Sequence, residues 1–403
     1  MASQSQQWKD IQISKEDAQK IVDTHLKDIP NARPIVNFRE LPKPTYGYRP
    51  ISKTYRIDLD HGPPLTDQSS YTLTIEPPVK DFSGVYHQNP LSEVAKLVAL
   101  VDKERSDDMG VNPEVIAFDD SLTNIPYHYL LQPQAIPEVL DNEDVVIHHV
   151  LLTKARTRLP KEQIGILQLM MGRMVAAYNS IRNPAGWFGL PQFEGSPPNG
   201  SHSWRDTFVR LITELLQEVE NLDERNPNRL QGLPVFPFHL ARIKLALDAD
   251  SGIFDDVHVP RLVVFPTSED DAIAAIVASH DDSLPLLVGV NPRFDYAIWA
   301  DPLLEATLLP SRSSSDVLDG YGKFLNEHKE EGTGDVDFEE SLATERTFLK
   351  RMWYETFFHL FILADDSEED SEKLTELKKD SREWALEMIR RMMVQMQEAG
   401  LLD

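Results

Sequence analysis

The chain has 403 residues, enough for two lobes that each bury a core, and its 41% hydrophobic and 8% aromatic content is that of a globular protein. A formal net charge of -26, from 66 Asp and Glu against 40 Lys and Arg, creates a field that repels nucleic acids and anionic lipid surfaces, so no nucleic acid and no membrane is expected as a partner. The absence of cysteine excludes disulfides, thiol nucleophiles and Cys-ligated metals, no apolar run approaches the ~20 residues of a bilayer span, and the polar first eight residues lack a signal-peptide core, which makes the protein an expected cytoplasmic one.

Ser14 with Asp17 three residues later forms a capping-box pattern, and Ala18, Ile21, Val22 and Leu26 follow at helical spacing. A short helix over residues 14–26, packed on the outside of the first lobe, is the expectation. Residues 30–50 are dotted with proline. Beyond them Tyr55-Arg56-Ile57-Asp58-Leu59 and Tyr71-Thr72-Leu73-Thr74-Ile75 alternate apolar and polar side chains, which predicts two antiparallel strands joined by a long loop through His61-Gly62-Pro63-Pro64. Leu91, Val94, Ala95, Leu97, Val98 and Val101 mark an amphipathic helix, and residues 111–118 and 127–132 supply two more extended segments. Together these predict a small lobe built on a mixed sheet.

From about Pro133 onward the pattern turns helical, with Ile164, Leu167, Met170, Met171, Met174, Val175 and Tyr178 at 3.6-residue recurrence. A methionine-rich stripe of this kind is a core face rather than a ligand site. Residues 186–200 carry Pro and Gly breaks and read as a loop, in which Gly195-Ser196 and Gly200-Ser201 are ordinary turn residues. Residues 204–222 are again helical, and Arg261-Leu262-Val263-Val264-Phe265 and Leu286-Leu287-Val288-Gly289-Val290 are short buried-strand candidates separated by an acidic, Ala-rich stretch. Helices over 342–363 and 372–399 flank an acidic linker at 365–370. Adjacent His148 and His149 would point in different directions from a strand or a helix, which makes a poor metal pair. No Gly-x-Ser-x-Gly elbow, P-loop or Rossmann glycine pattern occurs. The division expected is a helical extension over 1–44, a strand-rich lobe over 45–132 and a helical lobe over 133–403.

Four segments carry further information: Tyr71-Thr72-Leu73-Thr74-Ile75-Glu76-Pro77-Pro78, Asn89-Pro90-Leu91-Ser92-Glu93-Val94-Ala95-Lys96-Leu97, Pro126-Tyr127-His128-Tyr129-Leu130-Leu131-Gln132 and Tyr296-Ala297-Ile298-Trp299-Ala300-Asp301-Pro302-Leu303-Leu304-Glu305. In that order they resemble the aminoglycoside-phosphotransferase/choline-kinase-like family, in particular a eukaryotic branch common in fungi. Leu318-Asp319-Gly320-Tyr321-Gly322 and the segment from Arg351 to His359 extend the likeness, which covers residues 45 to 365. The resemblance implies an α+β, bilobal protein kinase-like fold, with a small strand-rich N-lobe, a larger helical C-lobe and a nucleotide cleft between them.

Residue by residue, the resemblance also implies losses. The lysine that holds the ATP phosphates in relatives falls at Thr74, while Glu93 matches the acid that orients that lysine, although a solvated helix glutamate would look the same. Leu131 and Gln132 lead into the hinge whose backbone would bond adenine. The segment that ends in His-Gly-Asp in active relatives, its aspartate serving as catalytic base, ends here in Val264-Phe265-Pro266. A metal-binding Asn five residues on corresponds to Asp271, in a Glu269-Asp270-Asp271 cluster that equally reads as surface charge. The metal aspartate before Tyr296 falls at Arg293, with Asp295 nearby, and a one-residue shift around Val290-Asn291-Pro292 does not restore the acid. Asp301 is expected to bond backbone amides of the catalytic segment.

Phosphoryl transfer depends on positioning and on neutralising phosphate charge with Mg²⁺ and a cation. With lysine, base and metal aspartate gone, the resemblance implies a pseudokinase that needs no cofactor and binds a small molecule in the cleft at Thr74, Glu93, Leu131 and Gln132, or a protein partner. Two alternatives stand beside it. One is a small-molecule phosphotransferase using ATP and Mg²⁺, with Asp271 and Asp295 as relocated metal ligands and a different base. The other is a repurposed enzyme acting in the cleft without phosphoryl transfer.

Overall fold

A computed structural model of the chain describes residues 11–26, 34–41, 51–60, 70–78, 86–104, 109, 114–133, 145–193, 200–225, 243–244, 246–247, 251–266, 268, 272–279, 285–329, 337–364 and 372–398. The loop through His61 to Pro64, Gly195-Ser196, the Glu269-Asp270-Asp271 cluster and the linker at 365–370 lie outside these residues.

The first lobe is built on strands β1 (Ile35–Glu40), β2 (Lys53–Leu59), β3 (Ser70–Glu76), β4 (Ala117–Asp119) and β5 (His128–Pro133), in the order β1-β2-β3-β5-β4. Every pair is antiparallel, which corrects the mixed sheet expected from the sequence. The physical reason is the path of helix α2 (Leu91–Lys103): it carries the chain from β3 to β4 one place too far, and β5 returns between them. β1 lies inside the proline-dotted stretch, for which the sequence pattern gives no strand signal.

Strand alternation sorts the side chains. Tyr55, Ile57, Leu59, Tyr71, Leu73, Ile75, Tyr129 and Leu131 form one buried face, covered by Ala18, Ile21 and Val22 of α1 (Lys15–His25). α1 starts as its capping box predicts: the Asp17 amide donates to Ser14 Oγ at 3.1 Å and the Ser14 amide donates to the Asp17 carboxylate at 3.4 Å. Thr54, Arg56, Thr72 and Thr74 alternate onto the opposite face, toward the second lobe.

α2 joins the lobes through a shared core. Its Leu91, Val94, Leu97, Val98 and Val101 pack with Leu167, Met171, Met174, Val175 and Tyr178 of α4 (Lys161–Ser180), so the methionine stripe is core. The second lobe also holds α3 (Leu152–Arg158) and α5 (Trp204–Arg225). It is not only helical: β6 (Val145–Leu151), β8 (Ala272–Ser279) and β9 (Leu286–Pro292) make an antiparallel sheet in the order β6-β8-β9, and β7 (Arg261–Val263) pairs with β10 (Ile298–Ala300). The Ala-rich stretch is thus the central strand β8. Ala has weak strand preference, but its small side chain suits a strand covered on both sides, and Ala272, Ala274 and Ala275 are fully buried.

Helices α6 (Ser315–Glu327), α7 (Phe338–Leu342), α8 (Glu345–Ala364) and α9 (Glu372–Glu398) complete the lobe. α7 and α8 are separate, because Thr344 accepts the Thr347 amide on its hydroxyl at 3.2 Å and so starts a new helix. From Met352 to Ala364, α8 is buried all round and forms the axis of the C-lobe core. α4 and α6 cross at Gly172 and Gly320. A Cβ on Gly172 would lie 2.0 Å from the Val317 carbonyl oxygen, and one on Gly320 would lie 2.2 Å from that of Leu169.

Candidate functional site

Thr74 stands opposite Thr54 across β2 and β3 and opposite Leu130 across β3 and β5. The Thr54 and Thr74 hydroxyls are 3.1 Å apart and share a hydrogen bond. Arg293, in the irregular segment between β9 and β10, donates from Nη2 to Thr54 Oγ1 at 3.4 Å and forms an ion pair with Asp295 at 2.8 Å. The two positions that the resemblance reads as the lost lysine and the lost metal aspartate, Thr74 and Arg293, are therefore linked through Thr54 across the lobes. Asp295, read as a relocated metal ligand, has its carboxylate against a guanidinium. Asp271 lies outside the described residues, and among the described residues no three His, Asp or Glu side chains are grouped to hold a metal ion.

The segment bearing Arg293 and Asp295 is pinned from the first lobe. The Asn89 amide donates to the Asp295 carbonyl at 2.6 Å, and the Asn89 side chain donates to the carbonyls of Phe294 at 2.8 Å and Ala297 at 2.9 Å. Tyr86 adds a hydroxyl bond to the Tyr296 carbonyl at 2.8 Å. Asn89 precedes Pro90, the residue before α2, and Pro90 has no side-chain group to cap that helix. Glu76 supplies the cap from the end of β3, accepting the Leu91 amide at 3.0 Å. Burial pushes the Glu76 carboxyl up to about 7, and the charge of Asp295 adds to the shift. The sequence signal for this role was the motif Glu76-Pro77-Pro78 followed by an uncapped helix start.

Glu93 is engaged elsewhere than on β3. Its carboxylate accepts the Phe193 amide at 3.0 Å and pairs with Lys96 at 3.3 Å. With no cation at position 74 the β3 strand offers it nothing, and Glu93 instead ties α2 to the end of the loop at 186–193. The hinge residues are spent in the sheet: Leu131 is buried, its carbonyl accepts the Ile116 amide at 2.9 Å, and Gln132 stands opposite Thr72.

The segment after β7 is held by Glu305, which corrects the expectation for Asp301. Glu305 has no exposed surface and accepts the amides of Val264 and Phe265 at 2.8 and 2.9 Å, together with an Asn179 side-chain N–H at 3.2 Å. Asn179 in turn accepts the Tyr321 hydroxyl at 3.0 Å. Burial pushes Glu305 up to about 7 against these bonds, which favour its charged form. Asp301 caps its own turn, accepting the Leu303 amide at 3.1 Å and the Tyr354 hydroxyl at 2.7 Å. It lies four residues too early to reach the Val264 amide, whereas Glu305 follows the turn at Pro302–Leu304. Val264, Phe265 and Pro266 are themselves buried, the first two with no exposed surface.

No family model and no curated protein matches the sequence. Among solved structures the chain is similar to a protein from Ralstonia eutropha described as an aminoglycoside phosphotransferase, with a TM-score of 0.51 and 12% identity over 95% of this chain and 99% of that one. It is also similar to a protein from Thermobifida fusca described as a fructosamine-3-kinase (TM-score 0.48, 11% identity, 92% and 99% of the two chains). A choline kinase from Cryptosporidium parvum is similar at TM-score 0.48 and 9% identity over 95% and 97%. At such identity a likeness speaks for the fold alone, and together with the architecture above it makes this chain an α+β protein of the bilobal kinase-like fold, with a strand-rich N-lobe and a larger, mainly helical C-lobe.

Proposed function

We propose that this chain is a catalytically degraded phosphotransferase of the aminoglycoside-phosphotransferase/choline-kinase type, a cytoplasmic pseudokinase that binds a small molecule or a protein partner by way of the former nucleotide cleft and needs no cofactor. One observation carries the reading. Where the resemblance puts the catalytic His-Gly-Asp, Val264, Phe265 and Pro266 are buried in the core. A general base must come within about 2.6–3.2 Å of the proton it takes, and these side chains carry no basic atom. The pairing of Asp295 with Arg293 supports the same reading, because a guanidinium competes with Mg²⁺ for that carboxylate. Thr74 brings no charge to the phosphates. Removing one element of such a preorganised site costs about 10²–10³ in rate, and because the elements act as a unit the losses do not simply add.

The test is an ATP-consumption assay of the purified chain with and without Mg²⁺, across aminoglycoside, choline-like and sugar acceptors. The expected outcome is no Mg²⁺-dependent turnover above background. Turnover that Asp295→Ala abolishes would overturn the reading in favour of a relocated kinase site, and ATP-independent conversion of an acceptor would favour a repurposed enzyme.

A further inference from the structure

Resting on the reading of the cleft as a binding site, we infer that its ligand is a small molecule bearing an oxyanion group, a carboxylate or a phosphate, which Arg293, Thr54 and Thr74 hold directly and without a metal ion. Donors outnumber acceptors where these three side chains meet. The Thr54 and Thr74 hydroxyls share one hydrogen bond, which consumes one of their two protons. The other hydroxyl proton has no acceptor among the described residues, although Thr74 is only 7% exposed. A guanidinium carries five N–H donors, yet the contacts of Arg293 with Thr54 and Asp295 both run through Nη2. Nε and Nη1 find no partner among the described residues. At 18% side-chain exposure, Arg293 is open enough for a ligand to reach it.

The place thus presents a surplus of donors from two strands of one lobe and a segment of the other. Such a place suits a group made of acceptors. A guanidinium fork with a hydroxyl beside it fits two oxygens of one carboxylate or phosphate. It does not suit Mg²⁺, which needs oxygen ligands free of a competing cation. The neighbouring negative charges set the affinity. Asp295 shares Arg293 with the incoming anion, and Glu76 adds to the field until it is protonated.

The experiment is calorimetric titration, with melting temperature in parallel, using inorganic phosphate and pyrophosphate in one series and acetate and malonate in another, each in EDTA and in Mg²⁺. Wild type is expected to bind in EDTA, and the series that binds identifies the oxyanion. Thr74→Val, which removes one hydroxyl and leaves the ion pair, should weaken binding by about tenfold, and Arg293→Gln by at least that, since a hydrogen bond to a charged group is worth about 1.5–3 kcal/mol. Asp295→Asn, which frees Arg293 from its partner, should tighten it. Failure of both series to bind wild type and Asp295→Asn, binding that requires Mg²⁺, or binding unmoved by Thr74→Val and Arg293→Gln would each overturn the inference. Mg²⁺-dependent ATP turnover is a separate readout and overturns the pseudokinase reading. A neutral molecule that raises the melting temperature while both oxyanion series fail would overturn the inference and leave that reading standing.

Discussion

Glu305 meets two main-chain amides and one side-chain N–H from a position with no exposed surface. Truncation therefore strands donors that water does not reach. The Asn179 nitrogen keeps the Leu262 carbonyl at 2.8 Å, but the two amides lose their partner at about 1–3 kcal/mol each, so Glu305→Ala is expected to lose about 2–6 kcal/mol, read as a lower urea midpoint. Glu305→Gln, which keeps one oxygen toward the amides, should lose less. Glu76 and Glu305 also make stability depend on pH. Both carboxyls rise from 4.5 to about 7 in the folded chain, so the folded state holds these protons more tightly than the unfolded one. Their contribution is complete below the unfolded value and is lost as pH rises through the folded value. Urea midpoints should accordingly fall between pH 5 and about 7 and flatten above. Glu76→Gln keeps an oxygen for the Leu91 amide and should reduce that slope; an unchanged slope would place the titration elsewhere. Thr74→Lys should not restore ATP hydrolysis. The new ammonium would meet Arg293 across Thr54 as a like charge, and Val264-Phe265-Pro266 would still offer no base. Robust turnover by this variant would show that the base lies outside that segment.

Elements defined by local chemistry were legible in the sequence. The Ser14 and Asp17 pair sets the start of α1, and the 3.6-residue recurrence of Leu167, Met171 and Val175 sets the buried face of α4. Those defined by distant pairing were not. β6 and β8 meet as Leu151 opposite Ile273, and no local pattern in an Ala-rich octapeptide encodes that partnership. The site divides the same way. Thr74 and Arg293 stand out only through the family resemblance, while the work of Asn89, Glu305 and Glu93 follows from tertiary contacts with residues far along the chain. The crossing of α4 and α6 leaves no room for a side chain on Gly172. In an isolated helix Gly172→Ala would gain about 1 kcal/mol of propensity. Here the added carbon meets a backbone oxygen at 2.0 Å, which no side-chain rotation relieves, so the helices must separate. Overpacking of this kind costs about 1–3 kcal/mol or more, and a net drop in melting temperature is expected. A rise would mean that the crossing is loose.

Across the whole molecule the lobes are fastened at several places: Asn89 and Tyr86 on the segment at 294–297, Thr54 on Arg293, and Glu93 on Phe193. Asn89→Ala releases two of those carbonyls and is expected to speed hydrogen exchange in α2 and in residues 293–300 while β6, β8 and α9 keep their protection. A uniform rise over the chain would show that the fastening is no local unit. The same fastening has a consequence for the birth of the protein. The bond from Asn89 to Ala297 spans 208 residues, and at synthesis rates of about 5–20 residues per second its acceptor is made about 10–40 s after its donor. For the first part of that interval, until Leu167 to Tyr178 of α4 have been made, the apolar side of α2, with Leu97, Val98 and Val101, waits for its partners. The first lobe can set its own sheet under α1, but α2 remains an exposed greasy ridge on the nascent chain. Expression at a slowed elongation rate should lengthen that exposure and raise the demand for chaperones that recognise such surfaces.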